Sequence, residues 1–352
     1  MSKKVVLLSP SQGRGGGIER YVETIEWAFQ YEGIEHWRID LDSSGPASHA
    51  RILGQARRLM RTISAPTRLV LAHRALLPVA FLLNCSAPVV GISLICHGSD
   101  VWGTERTLRR YVESRLMARP EVRVVAASSC TAGALARICP VAVLPPGISR
   151  EWFNTLIDAS SLPRERTRRT SLITAFRLED WRSKGLPELV EALQSIGRDD
   201  VYLTVCGSGR ASSELKQLVA GNRFLTLKSG LADFELAQEF AMSDLFILAT
   251  RTNSRRPPSG EGFGLVLIEA QIAGTPVVAP AYGGSHDAYV HGITGDAPLD
   301  ETAGSLAHVI SSLLDDPRRL ASMASRAAIW ARESFDPDRY STLAVQQLLR
   351  GR

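Results

Sequence analysis

Two carboxylates carry the clearest chemistry in this 352-residue chain. Glu261 stands against Gly262-Phe263-Gly264, and Glu269 follows after seven residues, within EGFGLVLIEAQIAGTPVVAPAYGG, the stretch from Glu261 to Gly284. Gly264 to Ala273 reads as a helix, Thr275-Pro276 as its stop, and Val277–Pro280 as a buried strand. A glycine turn that opens a helix offers backbone N–H groups and the positive end of the helix dipole, which attract diphosphates and sugar hydroxyls. Glu261 precedes the helix and Glu269 lies in its second turn, so the two carboxylates have different jobs. The stretch reads as one half of a nucleotide-sugar site.

Other residues of the right type stand at strand ends. Arg177 follows the apolar run Leu172–Ala175, and Lys184-Gly185 opens a helix at Leu186–Ile196, so the two cations can clamp a diphosphate; ion pairing to Glu179 or Asp180 is the competing reading. His97-Gly98-Ser99-Asp100 follows the apolar run Val89–Ile95, where doubly wound sheets bind their ligands. Gly13-Arg14-Gly15-Gly16-Gly17 sits between the run Lys4–Ser9 and a helical stripe through Ile18, Tyr21, Val22, Ile25 and Phe29. That unit can cradle a phosphate, but Ile18 stands where a dinucleotide fingerprint needs its third glycine, so it matches a nicotinamide-cofactor fold weakly. Asp40-Leu41-Asp42 mimics a metal-binding Asp-x-Asp and reads better as a solvated strand end opening a Ser/Gly/Pro loop.

The elements that position these residues alternate regularly. Strands at Leu69–Ala72, Val89–Ile95, Val122–Ala126 and Val141–Leu144 interleave with helices at His49–Ser64, Arg106–Arg119 and Thr131–Ile138, which makes one Rossmann-like domain over residues 1–160. Ser149 to Thr170 is polar and arginine-rich and reads as the connection between domains. The pattern then restarts, with strands at Leu172–Ala175, Val201–Val205, Phe224–Leu227 and Leu245–Ala249. They complete a second Rossmann-like domain over residues 170–332. Helices at Ala303–Leu314 and Arg318–Glu333 cover it, and a last helix, Pro337–Leu349 within 333–352, crosses back to the first domain. The segment 251–258, RTNSRRPP, is long and basic and reads as a lid.

Composition sets further bounds. The chain carries 36 Arg against 5 Lys, a ratio associated with GC-rich bacterial genomes. Residues 1–150 hold 19 basic and 11 acidic side chains, a net +8, and the rest hold 22 and 25, a net −3. A basic first half suits an anionic acceptor or an anionic membrane surface, with the basic helix at 49–64 as a contact; a well-solvated surface helix is the bland reading. No nucleic-acid module is recognisable. The five cysteines lack metal or redox spacing and read as thiols of a reducing cytoplasm. Val5–Leu8 is too short for a signal peptide. Leu76–Cys96 has no charge but is broken by Pro78, Asn84, Pro88 and Gly91, so a short helix and a buried strand fit better than a membrane span.

In order along the chain, Gly16-Gly17-Ile18-Glu19-Arg20, His97-Gly98-Ser99-Asp100, Pro146-Gly147, Arg177-Leu178 with Lys184-Gly185, Gly207-Ser208-Gly209, and the Glu-x7-Glu stretch with Gly283-Gly284 resemble the GT-B glycosyltransferases of family 4. That resemblance covers most of the chain. It implies an α/β fold of two Rossmann-like domains facing across a central cleft, and sugar transfer from a nucleotide diphosphate sugar with retention. It implies no metal and no cofactor. UDP-sugars come first as donor and GDP-sugars next, and the acceptor is a hydroxyl of a saccharide, a lipid-linked molecule or a secondary metabolite. The setting implied is bacterial cell-envelope polysaccharide or antibiotic biosynthesis, in the cytoplasm or on the inner face of the membrane.

Residue by residue, the resemblance implies that Gly16 and Gly17 let their loop approach the donor and that His97 meets the transferred sugar. Arg177 and Lys184 hold the diphosphate, and Glu261 faces the sugar. Phe263, Gly264 and Leu265 offer backbone N–H groups, Glu269 binds the ribose, and the base lies near Gly207 and Ser229-Gly230-Leu231. Arg20, Arg74, Asp100 and Trp102 are candidates for the acceptor side. The chain departs from the family pattern at Pro146, where Asn is usual, at Asp287, where Glu is commoner, and in the longer 251–258 loop. Rival readings are a same-fold epimerase, a phosphorolytic enzyme, a nucleotide-sugar-binding protein without transfer, and a nicotinamide-dependent oxidoreductase.

Overall fold

The computed structural model describes residues 4–10, 16–41, 45–63, 65–85, 88–101, 107–164, 169–253 and 259–350. Gly13, Gly15, Asp42, Trp102, Arg106, Arg166, Arg168 and most of the 251–258 loop lie outside these residues. The chain divides into two compact units, Met1–Ser149 with Pro337–Arg352, and Arg150–Asp336.

The first unit is a six-stranded parallel sheet of β1 (Lys4–Ser9), β2 (Glu35–Asp40), β3 (Thr67–Leu71), β4 (Val89–Cys96), β5 (Val122–Ala126) and β6 (Val141–Val143), in the order β2-β1-β3-β4-β5-β6. Its inner strands are near-continuous apolar runs because helices cover both faces. Alternate residues of β1 divide between those faces. Val6 and Leu8 join the cluster of Ile52, Leu77 and Leu94, while Val5 and Leu7 join that of Tyr21, Ile25 and Phe29. The helices are α1 (Gly17–Tyr31), α2 (Pro46–Ile63), α3 (Leu77–Asn84), α4 (Gly98–Val101), α5 (Leu108–Met117) and α6 (Ser129–Leu135). The uncharged stretch Leu76–Cys96 resolves into α3 and β4, and no helix among the described residues is long and apolar enough to cross a membrane.

The second unit repeats the plan with β7 (Thr170–Ala175), β8 (Val201–Gly207), β9 (Leu225–Ser229), β10 (Leu245–Ile247), β11 (Val277–Val278) and β12 (Gly295–Asp296), in the order β12-β11-β10-β7-β8-β9, again parallel. Its helices are α7 (Arg150–Ser160), α8 (Leu186–Ile196), α9 (Ser213–Ala220), α10 (Asp233–Ala241), α11 (Leu265–Ile272), α12 (Ala303–Leu314) and α13 (Pro317–Ser334). The chain's last helix, α14 (Pro337–Leu349), belongs to the first unit.

The expected connection at 149–170 is therefore corrected: its first half is α7. Phe153, Leu156 and Ala159 are buried and α7 packs on α10 and α11, so the helix is part of the second unit's core. Their helical spacing was outweighed by the polar, arginine-rich segment that follows.

α14 packs on α1 through Tyr340, Ala344 and Leu348, which share the cluster of Tyr21 and Phe29. Polar contacts fix both ends of it. Ser341 and Thr342 each donate a hydroxyl to Glu32 Oε1 at 2.8 Å. At the far end Ser93 donates to the Leu348 carbonyl at 2.5 Å, and the Arg123 side chain donates to the Gln347 carbonyl. A cation at the carbonyl end of a helix also meets the negative pole of its dipole. The Tyr340 ring stands against Gly147, where an added Cβ would come within 2.4 Å of it.

Gly147→Ala should therefore overpack this seam and lower the unfolding free energy by about 1–3 kcal/mol, the usual scale for forced crowding in a core. Denaturant titration measures it, and an unchanged midpoint would show that Tyr340 can step aside.

Candidate functional site

In the second unit the site is assembled at the carboxyl end of the sheet, where ligands of such folds bind. Gly185 has φ +72° and would bring a Cβ within 1.9 Å of the Ala249 carbonyl oxygen, so only glycine lets these two segments touch. The Arg251 N–H donates to the Ser183 carbonyl at 2.8 Å and completes the seam. The result brings together residues far apart in sequence. Lys184 Nζ donates to Glu261 Oε2 at 3.1 Å, and Thr250 Oγ1 donates to the same oxygen at 2.9 Å. Glu261 is buried, and a carboxylate in that position needs such donors. Its backbone is held too: the Gly284 N–H donates to the Glu261 carbonyl at 2.8 Å, and Gly283, at φ +109°, leaves no room for a Cβ there.

Arg177 lies half-exposed on the turn after β7 and gives two hydrogen bonds to Asp180 Oδ2, at 2.9 and 2.7 Å. Pairing to Asp180 is thus present. Gly264, at φ +83°, begins α11 without a capping side chain, and buried Phe263 packs edge-on against Phe335. Leu265 is half-buried in the first turn.

Gly207 is packed under the Phe176 carbonyl and the Leu178 side chain, 2.2 and 2.6 Å from where a Cβ would stand. The Leu178 N–H donates to Ser208 O and the Gly230 N–H to Gly207 O, so the turns after β7, β8 and β9 form one surface. Ser229 and Gly230 are exposed on it, and Leu231 is half-buried. Beside it, the Arg210 N–H donates to Glu179 and makes that carboxyl more acidic than usual.

Glu269 is buried within α11, and its Oε1 accepts the indole N–H of Trp152 at 3.0 Å. Trp152 stands on α7. It was absent from the sequence-based site because that segment read as a connection, although an indole on an amphipathic stripe was a signal for it.

In the first unit, Gly16 is extended at φ −158° and α1 begins without a capping side chain. Among the described residues, a Cβ on Gly16 or Gly17 would meet nothing within 4 Å. Half-buried Arg20 joins the helix by donating its N–H to the Gly16 carbonyl. His97 follows directly after β4 with its ring buried. Its Nε2 lies 3.1 Å from the Ala72 carbonyl, which can only accept, so the proton sits on Nε2 and Nδ1 is the acceptor. The Tyr21 ring meets it edge-on at 5.5 Å. Burial lowers its pKa from 6.5 to about 4 against the opposing pull of Asp100, so the imidazole is neutral at pH 7.

Arg74 and Asp100, expected on the acceptor side, turn inward instead. Asp100 accepts from the His97 N–H at 2.7 Å and faces His73 Nε2 at 3.0 Å. Arg74 pairs with buried Glu113 at 2.8 Å and donates to Asp100 O and Ser114 Oγ. A buried Glu113 needs a cation, and Arg74 supplies it. Both side chains therefore position the segment around His97. Asp40 pairs with Arg38 at 2.7 Å, as a solvated strand end would. Among the described residues no three His, Cys, Asp or Glu gather as a metal ligand set.

Comparison with known proteins adds three kinds of likeness. Residues 164–330 match the family model described as glycosyl transferases group 1. Over 393 aligned residues, covering 100% of this chain and 99% of the relative, it is 27% identical to the GDP-mannose-dependent alpha-(1-6)-phosphatidylinositol monomannoside mannosyltransferase of Mycobacterium tuberculosis. A shorter match, 34% over 172 residues, covers 46% of this chain and 39% of the D-inositol 3-phosphate glycosyltransferase of Pseudarthrobacter chlorophenolicus. Among solved structures, Anabaena HepE in complex with UDP and glucose superposes with a TM-score of 0.74 at 19% identity, covering 98% of this chain and 99% of that one. The sucrose-phosphate synthase of Thermosynechococcus elongatus gives 0.77 at 18% identity, covering 97% and 98%.

Two outcomes follow from the geometry. Trp152→Phe strips a donor from the buried Glu269 carboxylate and should cost about 1–3 kcal/mol of stability, measured by denaturant unfolding. His97 is protonated more readily unfolded than folded, so its contribution is intact above pH 6.5 and is lost as pH falls toward 4, by about 3 kcal/mol in all. Comparing stability at pH 7 and pH 4.5 in wild type and His97→Asn tests it; an equal pH slope in the two would refute the assignment.

Proposed function

We propose a donor, an acceptor class and a stereochemical course for this chain, which is a hexosyl-transferring glycosyltransferase of the GT-B fold that uses a nucleotide sugar. The reaction is retaining transfer, without a metal, to a hydroxyl of a saccharide or lipid-linked acceptor. The observation that carries it is the meeting of Lys184 and Thr250 on Glu261, in the same unit as Arg177 on the turn after β7 and the uncapped start of α11.

Glycosyl transfer builds positive charge at the anomeric carbon and negative charge on the departing diphosphate. In our reading Arg177 and Lys184 take up the leaving charge, helped by the α11 dipole. Glu261 serves the sugar and holds Lys184 in place, Glu269 serves the ribose, and His97 accepts a hydrogen bond from the transferred sugar at Nδ1. The base lies by Gly207 and Ser229–Leu231, and Gly16-Gly17 leaves room for the diphosphate. The departing phosphate oxygen removes the acceptor proton on the same sugar face, which gives retention.

The whole-length likeness to a GDP-mannose-dependent enzyme supports GDP-mannose as the first donor to try, ahead of the UDP-sugars. The same relative's name supports a lipid-linked acceptor, and with it work at the inner face of the cell membrane.

Nucleotide release from a panel of GDP- and UDP-sugars, with and without EDTA, tests donor and metal together. Lys184→Ala and Arg177→Ala should each cut turnover by about two orders of magnitude or more, the scale of one lost charge stabiliser. Near-normal turnover in both variants would sink the mechanism.

A further inference from the structure

Helix α5 carries two stripes at helical spacing. The inward one holds buried Glu113 and Met117. The outward one is Leu108, Tyr111, Val112 and Arg115, and its apolar members are 80%, 58% and 42% exposed. A surface helix of a globular unit ordinarily turns polar residues outward, so three consecutive apolar positions of one outer stripe call for a partner. Leu82 on neighbouring α3 is 51% exposed as well.

The surroundings say which partner. Helices α2, α3 and α5 pack side by side over one face of the first unit's sheet, and Arg57 of α2 reaches the Leu82 carbonyl at 3.5 Å. This layer is charged with one sign. α2 carries four arginines and no acid, α3 no charge, and α5 three arginines and one acid. That acid, Glu113, is buried between Arg74 and Arg109. Arg115 lies over the Tyr111 ring at 5.2 Å and donates to its hydroxyl at 3.1 Å, a cation riding on an apolar stem.

We propose that the outer face of α2, α3 and α5 docks on an anionic lipid surface. Leu108, Tyr111 and Val112 enter the headgroup boundary and the arginines hold lipid phosphates. Apolar burial and attraction to anionic lipid together give interfacial binding that neither gives alone. A nucleic acid would use the arginines but gain nothing from exposed Leu108 and Val112. The expected role of α2 changes accordingly: Ile52, Ala56 and Met60 are committed to the core, so α2 supplies charge and α5 supplies insertion. The proposal deepens the lipid-linked acceptor reading, but its physical basis is the surface of the first unit alone.

Sedimentation of the full chain with phosphatidylcholine vesicles, with and without phosphatidylglycerol, tests it at low and high salt. Binding should require the anionic lipid and weaken with salt. L108S/Y111S and R58E/R61E should each weaken it about tenfold or more, by removing the apolar and the electrostatic share respectively. A Leu108→Trp variant should shift its emission to the blue on vesicle addition. Equal binding by L108S/Y111S, equal binding to neutral vesicles, or binding to RNA in place of vesicles would each overturn the proposal. Nucleotide release without vesicles reports separately on the transferase reading and should be unchanged in these variants.

Discussion

A carboxylate held almost out of water sets the terms for the second unit. A buried carboxylate needs donors, and Lys184 and Thr250 meet Glu261 on a single oxygen. Bringing them there forces two backbones into contact, so Gly185 must be glycine and must sit at positive φ. The Gly283-Gly284 turn is drawn in on the other side, against the Glu261 carbonyl. The ion pair therefore organises three loops at once. It also leaves the Lys184 ammonium group partly exposed.

The first unit follows the same logic with different parts. Arg74, Asp100 and Glu113 form a closed buried network whose product is the placement of the His97 segment. His97 itself is kept neutral by burial, so it can offer a hydrogen-bond acceptor at a pH where an exposed histidine is partly cationic. Tyr21 ties this corner to the rest of the unit: its ring meets His97 and its hydroxyl donates to the Leu144 carbonyl at 2.6 Å.

Much of the architecture was legible from periodicity. The bounds of β1, β5, α8, α12 and α14 follow directly from apolar spacing and stop signals. α9 and the two-residue strand β12 were not, because one has a single buried side chain and the other none of the length that makes a pattern. The site was legible in kind but not in pairing. Lys184 and Glu261 are 77 residues apart, and their hydrogen bond exists only because a glycine admits a neighbouring strand end. Arg74 looked available for an anionic acceptor because its partner Glu113 stands 39 residues further on. Charge at a strand end marks a residue as interesting; whether it faces outward depends on acids that sequence neighbours do not reveal.

The return of α14 gives the chain an order of completion. The first unit begins at the N-terminus, yet Tyr340, Ala344 and Leu348 are part of its core and the capping partners of α14 lie on β4 and β5. During synthesis the whole of Arg150–Asp336 emerges before those residues do. The unit that starts first is thus the one that finishes last, and until α14 emerges its α1 face has an open apolar seam. Nascent chains of this protein therefore carry that seam open through the synthesis of an entire second unit, and α14 is what closes it.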